Sequence, residues 1–409
     1  MAIDFVLRNA RLPHALQPTD IGVEGGLIAV IEPGFACDAP EYDAGGRLVC
    51  GGLIESHIHL DKAGIIGRCS ICAGTLAEAV SETAKAKAAF TEEDVYQRAS
   101  VVLEKAVLNG TTRLRTFVEV DPRAGYRSLD AIKRLKVDYA WAIEIEICAF
   151  AQEGLTNEPA TEAMLETALK SGADLVGGCP YTDPQPAEHI RRIFDLGERF
   201  HVPVDFHLDF HLDPTKSDLP EVIAQTIARR YEGRVSVGHV TNLSAMTPED
   251  LEALGERLAQ AAIAVTALPA TDLFLMGPGA GRLTPRGVAP IHRLAAHGVV
   301  TTLSTNNVMN PFTPFGDVSL MRMANLYANI AQIGAPAELA GIFDMIMSLP
   351  ARLVGKGRKS LEVGASADLV IFDALSSSDA VAQIAPAVTG WKDGRQTFLR
   401  PPPQLLREM

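Results

Sequence analysis

Two histidines separated by a single residue stand at the end of a short apolar segment near the start of the chain. The segment is Leu53–His59, and His57 and His59 hold alternate positions in it. Alternate side chains of a β-strand point to the same face, so both imidazoles project together. Two ring nitrogens on one face can share a metal ion. The alternative is two satisfied polar side chains at a strand end, and the position after a short N-terminal sheet favours the metal.

A second polar cluster lies in the segment Asp205–Asp213, where ionisable and apolar residues alternate strictly. The apolar face would pack on helices, so we expect the ionisable face to point into the interior or mouth of a barrel. Five ionisable groups cannot be buried there without partners or a metal. They are Asp205, His207, Asp209, His211 and Asp213. His239 ends the next predicted strand and is a further candidate ligand or proton donor.

Strands and helices alternate through the middle of the chain and would position these side chains. Leu53–His59 is the first of eight predicted strands, and helices are predicted between most of them. Two helices begin at capping motifs that start with Thr75 and Thr91. Alternation at this spacing predicts parallel βαβ units, and eight units predict a TIM-like (β/α)8 barrel with its site at the carboxyl ends of the strands. The other seven strands are Arg113–Val120, Tyr139–Phe150, Asp174–Gly178, Val204–Asp213, Arg234–His239, Ala262–Ala267 and Val299–Ser304.

The two ends of the chain have a different pattern from the middle. Residues 1–50 contain short alternating segments, and Gly364–Asp373 returns to a strand. We therefore predict a small β-sandwich domain formed by residues 1–50 and 356–409. The barrel is expected to occupy residues 51–355.

The composition of the 409 residues excludes several classes of protein. Hydrophobic residues make up 47% and charged residues 21%, which rules out a disordered or collagen-like chain. The net charge of −13 disfavours nucleic acid as a partner. No apolar run is long enough for a transmembrane helix, and the first residues are too charged for a signal peptide. The six cysteines, including the pair Cys69 and Cys72, are expected to be reduced, incidental thiols in the cytoplasm.

Several segments together resemble the amidohydrolase superfamily. Gly52–Asp61 is similar to the first-strand motif of that superfamily, and Val363–Val370 is similar to its C-terminal strand. More narrowly, the chain resembles the group of cytosine deaminases and N-isopropylammelide isopropylamidohydrolases, in order over nearly its whole length. The segments that carry this resemblance are Gly110–Thr116, Ala149–Gly154, Gly172–Gly178, Gly238–Thr241, Asn307–Phe312 and Pro314–Gly316.

The resemblance implies a site with one divalent metal ion. His57, His59 and His207 fall on three ligand positions of the family, and Asn306 falls on the fourth. Zinc or iron is expected, and manganese and cobalt suit the same imidazole donors.

The resemblance also implies roles around the metal. His239 falls where a histidine contacts the reacting water or the substrate. Gln152 falls on a glutamine that binds the amide edge of a heterocycle, and Phe312 falls where an aromatic residue faces the substrate ring. For Asp61 and Lys62, an ion pair that supports the structure is favoured over the orientation of a ligand.

Two positions depart from the pattern of the family. The aspartate that binds metal and takes a proton from the attacking water falls on Asn306, and a proton-carrying glutamate falls on Phe210. An amide can ligate a metal through oxygen, but it cannot act as a base near pH 7. Three explanations stay open. Asp209 moves protons beside a neutral Asn306, or Asn306 is an introduced change, or the chain is a catalytically silent binder.

The residues and the resemblance together predict a metal-dependent hydrolase. We expect it to cleave a C–N bond of a small nitrogen heterocycle, by deamination or by amide or amine hydrolysis, with a metal-activated water. His239 would steady the developing oxyanion, Asp209 would move protons, and Gln152 and Phe312 would bind the substrate. The alternatives are a hydrolase of an acyclic amide, urea or carbamate, and a non-catalytic small-molecule binder on the same scaffold. The resemblance further implies a homo-oligomer.

Overall fold

The strands of the protein form three sheets. The computed structural model describes residues 3–15, 17–71, 73–354 and 361–406. Within these residues one sheet has eight strands and two sheets have four each. The strands are β1 (Phe5–Ala10), β2 (Thr19–Glu24), β3 (Leu27–Ile31), β4 (Glu41–Asp43), β5 (Leu48–Gly51), β6 (Leu53–Ile58), β7 (Thr111–Glu119), β8 (Glu144–Ala151), β9 (Leu175–Gly178), β10 (Val204–Leu208), β11 (Val235–His239), β12 (Ala264–Ala267), β13 (Thr301–Leu303), β14 (Leu369–Phe372), β15 (Ala387–Lys392) and β16 (Arg395–Leu399).

Helices separate most of the strands of the large sheet. As predicted, the first two helices begin at threonine caps, because Thr75 accepts a hydrogen bond from the amide of Glu78 and Thr91 accepts one from the amide of Asp94. The helices are α1 (Leu76–Lys87), α2 (Glu92–Leu108), α3 (Arg127–Asp138), α4 (Ala160–Lys170), α5 (Pro186–Phe200), α6 (Leu219–Arg229), α7 (Pro248–Gln260), α8 (Pro269–Leu275), α9 (Ile291–Ala295), α10 (Leu320–Ala331), α11 (Pro336–Asp344) and α12 (Ser377–Gln383).

The large sheet is the predicted barrel. Its strands β6 to β13 lie side by side in chain order, and neighbouring strands pair in parallel. The backbone of Asn306 closes the barrel. Its N–H donates to the backbone carbonyl of His57 at 2.9 Å, and its carbonyl accepts from the backbone N–H of His59 at 2.9 Å. The prediction of a TIM-like α/β barrel is therefore confirmed.

The predicted strand Val204–Asp213 is longer than the observed strand, and this changes where its later side chains point. Strand β10 ends at Leu208, and Asp209 adopts a left-handed backbone with a φ of 51°. The prediction that Asp209, His211 and Asp213 share the face of His207 is therefore wrong. Their alternation with Phe and Leu continues past the point where the strand pairing stops.

The two four-stranded sheets bring the ends of the chain together. One sheet has the order β3-β2-β1-β4, and the other has the order β16-β15-β14-β5. They enclose an apolar core in which Phe5 stacks on the buried Trp391, with ring centroids 5.8 Å apart. This confirms the predicted small β unit, whereas the proposed domain limits at residues 50 and 355 stay a prediction.

Two further sequence features can be placed against the structure. Cys69 is half-buried, and Cys72, its partner in the CxxC pair, lies outside the described residues. Among the described helices, none is both long enough and apolar enough to span a membrane.

Candidate active site

Three imidazoles meet at the carboxyl end of the barrel. His57 lies near the end of β6, His59 follows that strand, and His207 lies in β10; one ring nitrogen of each lies within 4.8 Å of the others. Nε2 of His57, Nδ1 of His59 and Nε2 of His207 are buried and have no hydrogen-bond partner among the described residues. Buried polar atoms are normally paired, and a divalent metal would satisfy all three nitrogens at once.

The electrostatics of the cluster also suit a metal. Burial lowers the pKa of His57, His59 and His207 well below the ordinary value, and neighbouring positive charges lower it further. The three rings are therefore neutral near pH 7, which is the form that binds metals. The donor set fits the divalent ion that the sequence predicts.

Asn306 adds a neutral group beside these rings. Its side-chain oxygen Oδ1 is buried and is also without a hydrogen-bond partner in the described part of the chain. Its amide nitrogen Nδ2 lies 3.5 Å from Nε2 of His239. The structure thus brings Asn306 to the site with a free oxygen, as expected of a neutral fourth ligand.

A small cavity lies against the cluster. Its volume is about 10 Å³, which is room for about one water molecule. Among the described residues, none that lines this cavity is an aspartate or a glutamate. The lining residues are His59, Lys62, Leu76, Gln152, Tyr181, His207, Phe210, His239, Thr271, Asn306, Asn307 and Phe312.

Lys62 joins the two predicted substrate-binding residues. Its Nζ donates to Oε1 of Gln152 at 3.2 Å and lies 4.5 Å from the centre of the Phe312 ring. The same Nζ donates to Oε1 of Glu119 at 2.7 Å. The favoured ion pair exists, but with Glu119 rather than Asp61, and Lys62 also lines the cavity. The sequence signal that could have identified Lys62 as a residue of the site was its position three residues after His59.

A buried ion network supports Lys62 from behind. Glu119 accepts from both Lys62 and Lys87, and Lys87 also pairs with Asp121 at 2.6 Å and with Glu153. Burial alone would raise the pKa of the Glu119 carboxyl, but the two ammonium groups outweigh it and lower the value to about 2. The three carboxylates could in principle hold a metal, but the ammonium of Lys87 already lies among them.

Asp209, the predicted proton carrier, is turned away from the cavity. Its carboxylate accepts from Oγ of Ser217 at 2.5 Å and from the amide of Asp218 at 2.9 Å. The next residue, Phe210, takes its place in the cavity wall, with a ring centroid 4.7 Å from that of His239. The physical reason is the left-handed turn at Asp209, which ends the alternation of the strand.

His239 has a partner that the sequence analysis missed. Its Nδ1 lies 2.6 Å from Oδ1 of Asp272, which is fully buried in α8. The other carboxylate oxygen accepts from the amide of Leu268 at 3.1 Å. No spacing in the sequence links residues 239 and 272, because the contact depends on how α8 packs beside the end of β11.

Comparisons with known proteins show what the whole chain is similar to. A model of the amidohydrolase family matches residues 74–398. The chain is 27% identical over 407 residues to N-isopropylammelide isopropyl amidohydrolase of Pseudomonas sp. (strain ADP), with 96% of each protein covered. It is 26% identical over 393 residues to pterin deaminase of Rhizobium rhizogenes (strain K84), with 91% of this chain and 89% of the relative covered. The crystal structure of 5-methylcytosine deaminase from Klebsiella pneumoniae liganded with 5-fluorocytosine superposes with a TM-score of 0.93 at 26% identity, over 98% of this chain and 99% of that one.

Proposed function

Because the chain belongs to the amidohydrolase family, we propose that it hydrolyses a C–N bond of a small nitrogen heterocycle, by deamination or by amide or amine hydrolysis. It is an enzyme that acts on carbon–nitrogen bonds other than peptide bonds, as the names of its deaminase and amidohydrolase relatives indicate. The observation that carries the proposal is the cluster of three unpartnered imidazole nitrogens beside a cavity lined by Gln152 and Phe312.

The proposed metal site uses His57, His59 and His207, with Oδ1 of Asn306 as a neutral fourth donor. When bound, a divalent metal lowers the pKa of a coordinated water and polarises the bond under attack. Zinc or iron is proposed, and manganese and cobalt suit the same donors.

The remaining residues would bind the substrate and handle its charges. Lys62 uses two of its N–H groups on Glu119 and Gln152, which leaves the third for an acceptor atom of the substrate. Phe312 would stack on the ring. Nε2 of His239 would accept a proton of the reacting water and, in the protonated ring, would then donate a hydrogen bond that steadies the charge developing on the reacting oxygen.

Proton transfer by Asp209 stays a prediction. To reach the cavity, its carboxylate would have to leave the hydroxyl of Ser217, the backbone N–H of Asp218 and Nδ2 of Asn242. The described residues that line the cavity include no carboxylate, which favours a second candidate, a non-catalytic binder that kept the scaffold.

Metal analysis of protein purified without added metal tests the proposal. We expect about one zinc or iron ion per chain and a large loss of metal in the double variant His57→Ala/His207→Ala. The control is His297→Gln, which changes an imidazole that bonds Glu252 on the surface and should keep the metal.

A substrate panel then separates the candidate functions. Amino-substituted pyrimidines, triazines and pterins should be hydrolysed, while acyclic ureas, amides and carbamates should not. Turnover of only the acyclic compounds would favour the acyclic alternative. A chain that takes up no metal even after reconstitution would contradict the proposal and leave the binder. Cytoplasmic location and a homo-oligomer stay predictions, and light scattering of the purified protein checks the second.

A further inference from the structure

A buried carboxylate stands behind a histidine of the cavity that is not part of the three-imidazole cluster. The structure gives His239 two polar neighbours, Asp272 at Nδ1 and Asn306 at Nε2. Asp272 is held in place by the amide of Leu268 and is closed to solvent. Burying a carboxylate is costly without compensating hydrogen bonds, so the 2.6 Å contact to His239 is a substantial part of what keeps Asp272 there.

The donor and acceptor roles in this chain of contacts follow from the chemistry of the groups. Burial raises the pKa of the Asp272 carboxyl, whereas His239 and the backbone N–H of Leu268 favour its ionised form. As a carboxylate Asp272 only accepts, so Nδ1 of His239 carries the proton that faces it. In a neutral imidazole the other nitrogen, Nε2, is then an acceptor. Its neighbour in Asn306 must therefore be the NH2 group, because an amide oxygen placed there would face a lone pair. That orientation leaves Oδ1 of Asn306 without a hydrogen-bond partner among the described residues.

We propose that Asp272 is a positioning residue that acts through His239 to orient Asn306. It fixes the tautomer of His239, and the tautomer fixes which atom of the Asn306 amide is left for the metal. It also keeps Nε2 of His239 as an acceptor in a cavity whose described lining residues include no carboxylate. The inference rests on the proposed function only in giving Asn306 and His239 their roles at the metal and at the reacting water.

The tautomer of His239 can be measured in metal-free protein. Uniformly folded protein labelled with 15N at histidine gives long-range 1H–15N correlations that distinguish the two tautomers. The variant His239→Gln assigns the signal by its loss. We expect the proton of His239 on Nδ1 in the wild type. A wild-type His239 with its proton on Nε2 would overturn the proposal, and this result needs no variant of Asp272.

The variant Asp272→Asn tests the consequence for metal binding. Its NH2 group can donate to Nδ1, which favours the opposite tautomer and places an N–H against the amide of Asn306. We expect zinc affinity, measured by competition with a chelator, to fall by about 10- to 100-fold, the usual range for groups behind a metal ligand. We expect kcat on any active heterocycle to fall by about 100-fold or more while KM changes much less.

A surface pair provides the matched control. Glu252 accepts from Nε2 of His297 at 2.7 Å, so Glu252→Gln makes the same change to a carboxylate–imidazole pair outside the site. It should leave the His239 signal, zinc affinity and kcat unchanged. Wild-type zinc affinity and kcat in Asp272→Asn would overturn the proposal. Full activity in both His57→Ala and His239→Gln would instead contradict the proposed function, and the tautomer measurement would still decide the role of Asp272.

Discussion

Neutral and cationic side chains line the cavity, and the carboxylates lie one contact behind them. Asp272 stands behind His239, and Glu119 stands behind Lys62. A carboxylate in this position cannot touch the substrate, but it fixes the direction and charge of the group that does. At the scale of single residues, the acid–base properties of the site therefore depend on pairs rather than on one exposed acid.

Asn306→Asp tests whether the side-chain oxygen of residue 306 is the neutral fourth ligand of the proposed metal. An anionic oxygen binds a divalent cation more strongly than an amide oxygen does, so we expect zinc affinity to rise by about tenfold or more. Deamination of simple aminopyrimidines should rise as well, because the new carboxylate can accept a proton. Chelator competition and ammonia release measure the two effects.

The control for that change is the neighbouring asparagine. Oδ1 of Asn307 accepts from Nδ2 of Asn310 at 2.7 Å, so Asn307→Asp adds the same charge one residue along the chain. It should raise zinc affinity less than Asn306→Asp does. Equal affinities in the wild type and in Asn306→Asp would mean that residue 306 does not contact the metal.

The residues that could be predicted from the sequence are those whose positions follow from local geometry. His57 and His207 lie on strands whose alternation sets their direction, His59 directly follows the strand of His57, and all three meet in the structure. Asp272 could not be predicted, because its contact with His239 joins a strand end to a helix in the next βα unit. Asp209 was placed wrongly because aspartate tolerates a left-handed backbone, so no glycine or proline marks the end of β10.

At the scale of elements, α1 packs beside the cavity, and its first residue, Leu76, lines it. Its residues Leu76, Ala79 and Val80 belong to an apolar cluster with Phe210 and Phe312. The cavity has room for about one water, so a heterocycle can enter only if some of the side chains that line the cavity move. Lys87 anchors the last turn of the same helix in the ion network.

Lys87→Met tests that anchor. Removing the ammonium leaves the carboxylates of Glu119, Asp121 and Glu153 close together with one cation fewer, and breaking a buried ion pair in this way typically costs about 3–5 kcal/mol. We expect a loss of this order in the free energy of unfolding, measured with urea.

Lys85→Met is the matched control for Lys87→Met. Lys85 lies in the same turn of α1, but its side chain is 71% exposed and pairs only with Glu82 among the described residues. The free energy of unfolding should change by less than about 0.5 kcal/mol. If both variants lose the same stability, the buried network does not anchor α1.

The same network predicts how stability depends on pH. Lys62 and Lys87 lower the pKa of Glu119 from 4.5 to about 2 in the folded protein. The stabilisation is therefore complete above pH 4.5 and is lost as the pH falls from 4.5 through 2, because the unfolded chain takes up the proton first. A shift of this size corresponds to a free energy on the order of 3 kcal/mol.

Glu119→Gln isolates that contribution. The wild type should exceed the variant in the free energy of unfolding by the largest margin near pH 7, and the margin should shrink steadily below pH 4.5. Urea unfolding at a series of pH values measures both. A margin that is the same at pH 7 and pH 3 would show that Glu119 is not held ionised by the two lysines.

At the scale of the whole molecule, the barrel and the β unit are joined by a short link of chain and by close packing around that link. Strand β5 pairs with β14 in the small unit and runs into the first barrel strand through Gly52 alone. A Cβ at Gly52 would lie 2.0 Å from Oγ1 of Thr112, so this link is packed closely against β7. Both units were predictable because each follows from its own periodicity. The close packing between them depends on tertiary contacts that the pattern does not encode.

This continuity predicts that the two units unfold together, and the two tryptophans of the chain can test it. Trp391 is buried in the β unit, and Trp141 is 46% exposed after α3 of the barrel. In Trp141→Phe, fluorescence reports the β unit through Trp391, while far-ultraviolet circular dichroism reports mainly the helices of the barrel. We expect the same urea midpoint from both signals, as in a single cooperative transition. In Trp391→Phe, the urea midpoints from the fluorescence of Trp141 and from circular dichroism should shift by the same amount. A loss of stability in the β unit would destabilise the barrel equally. A Trp391 signal that is lost at lower urea than the circular dichroism would instead show that the barrel stays folded without the β unit.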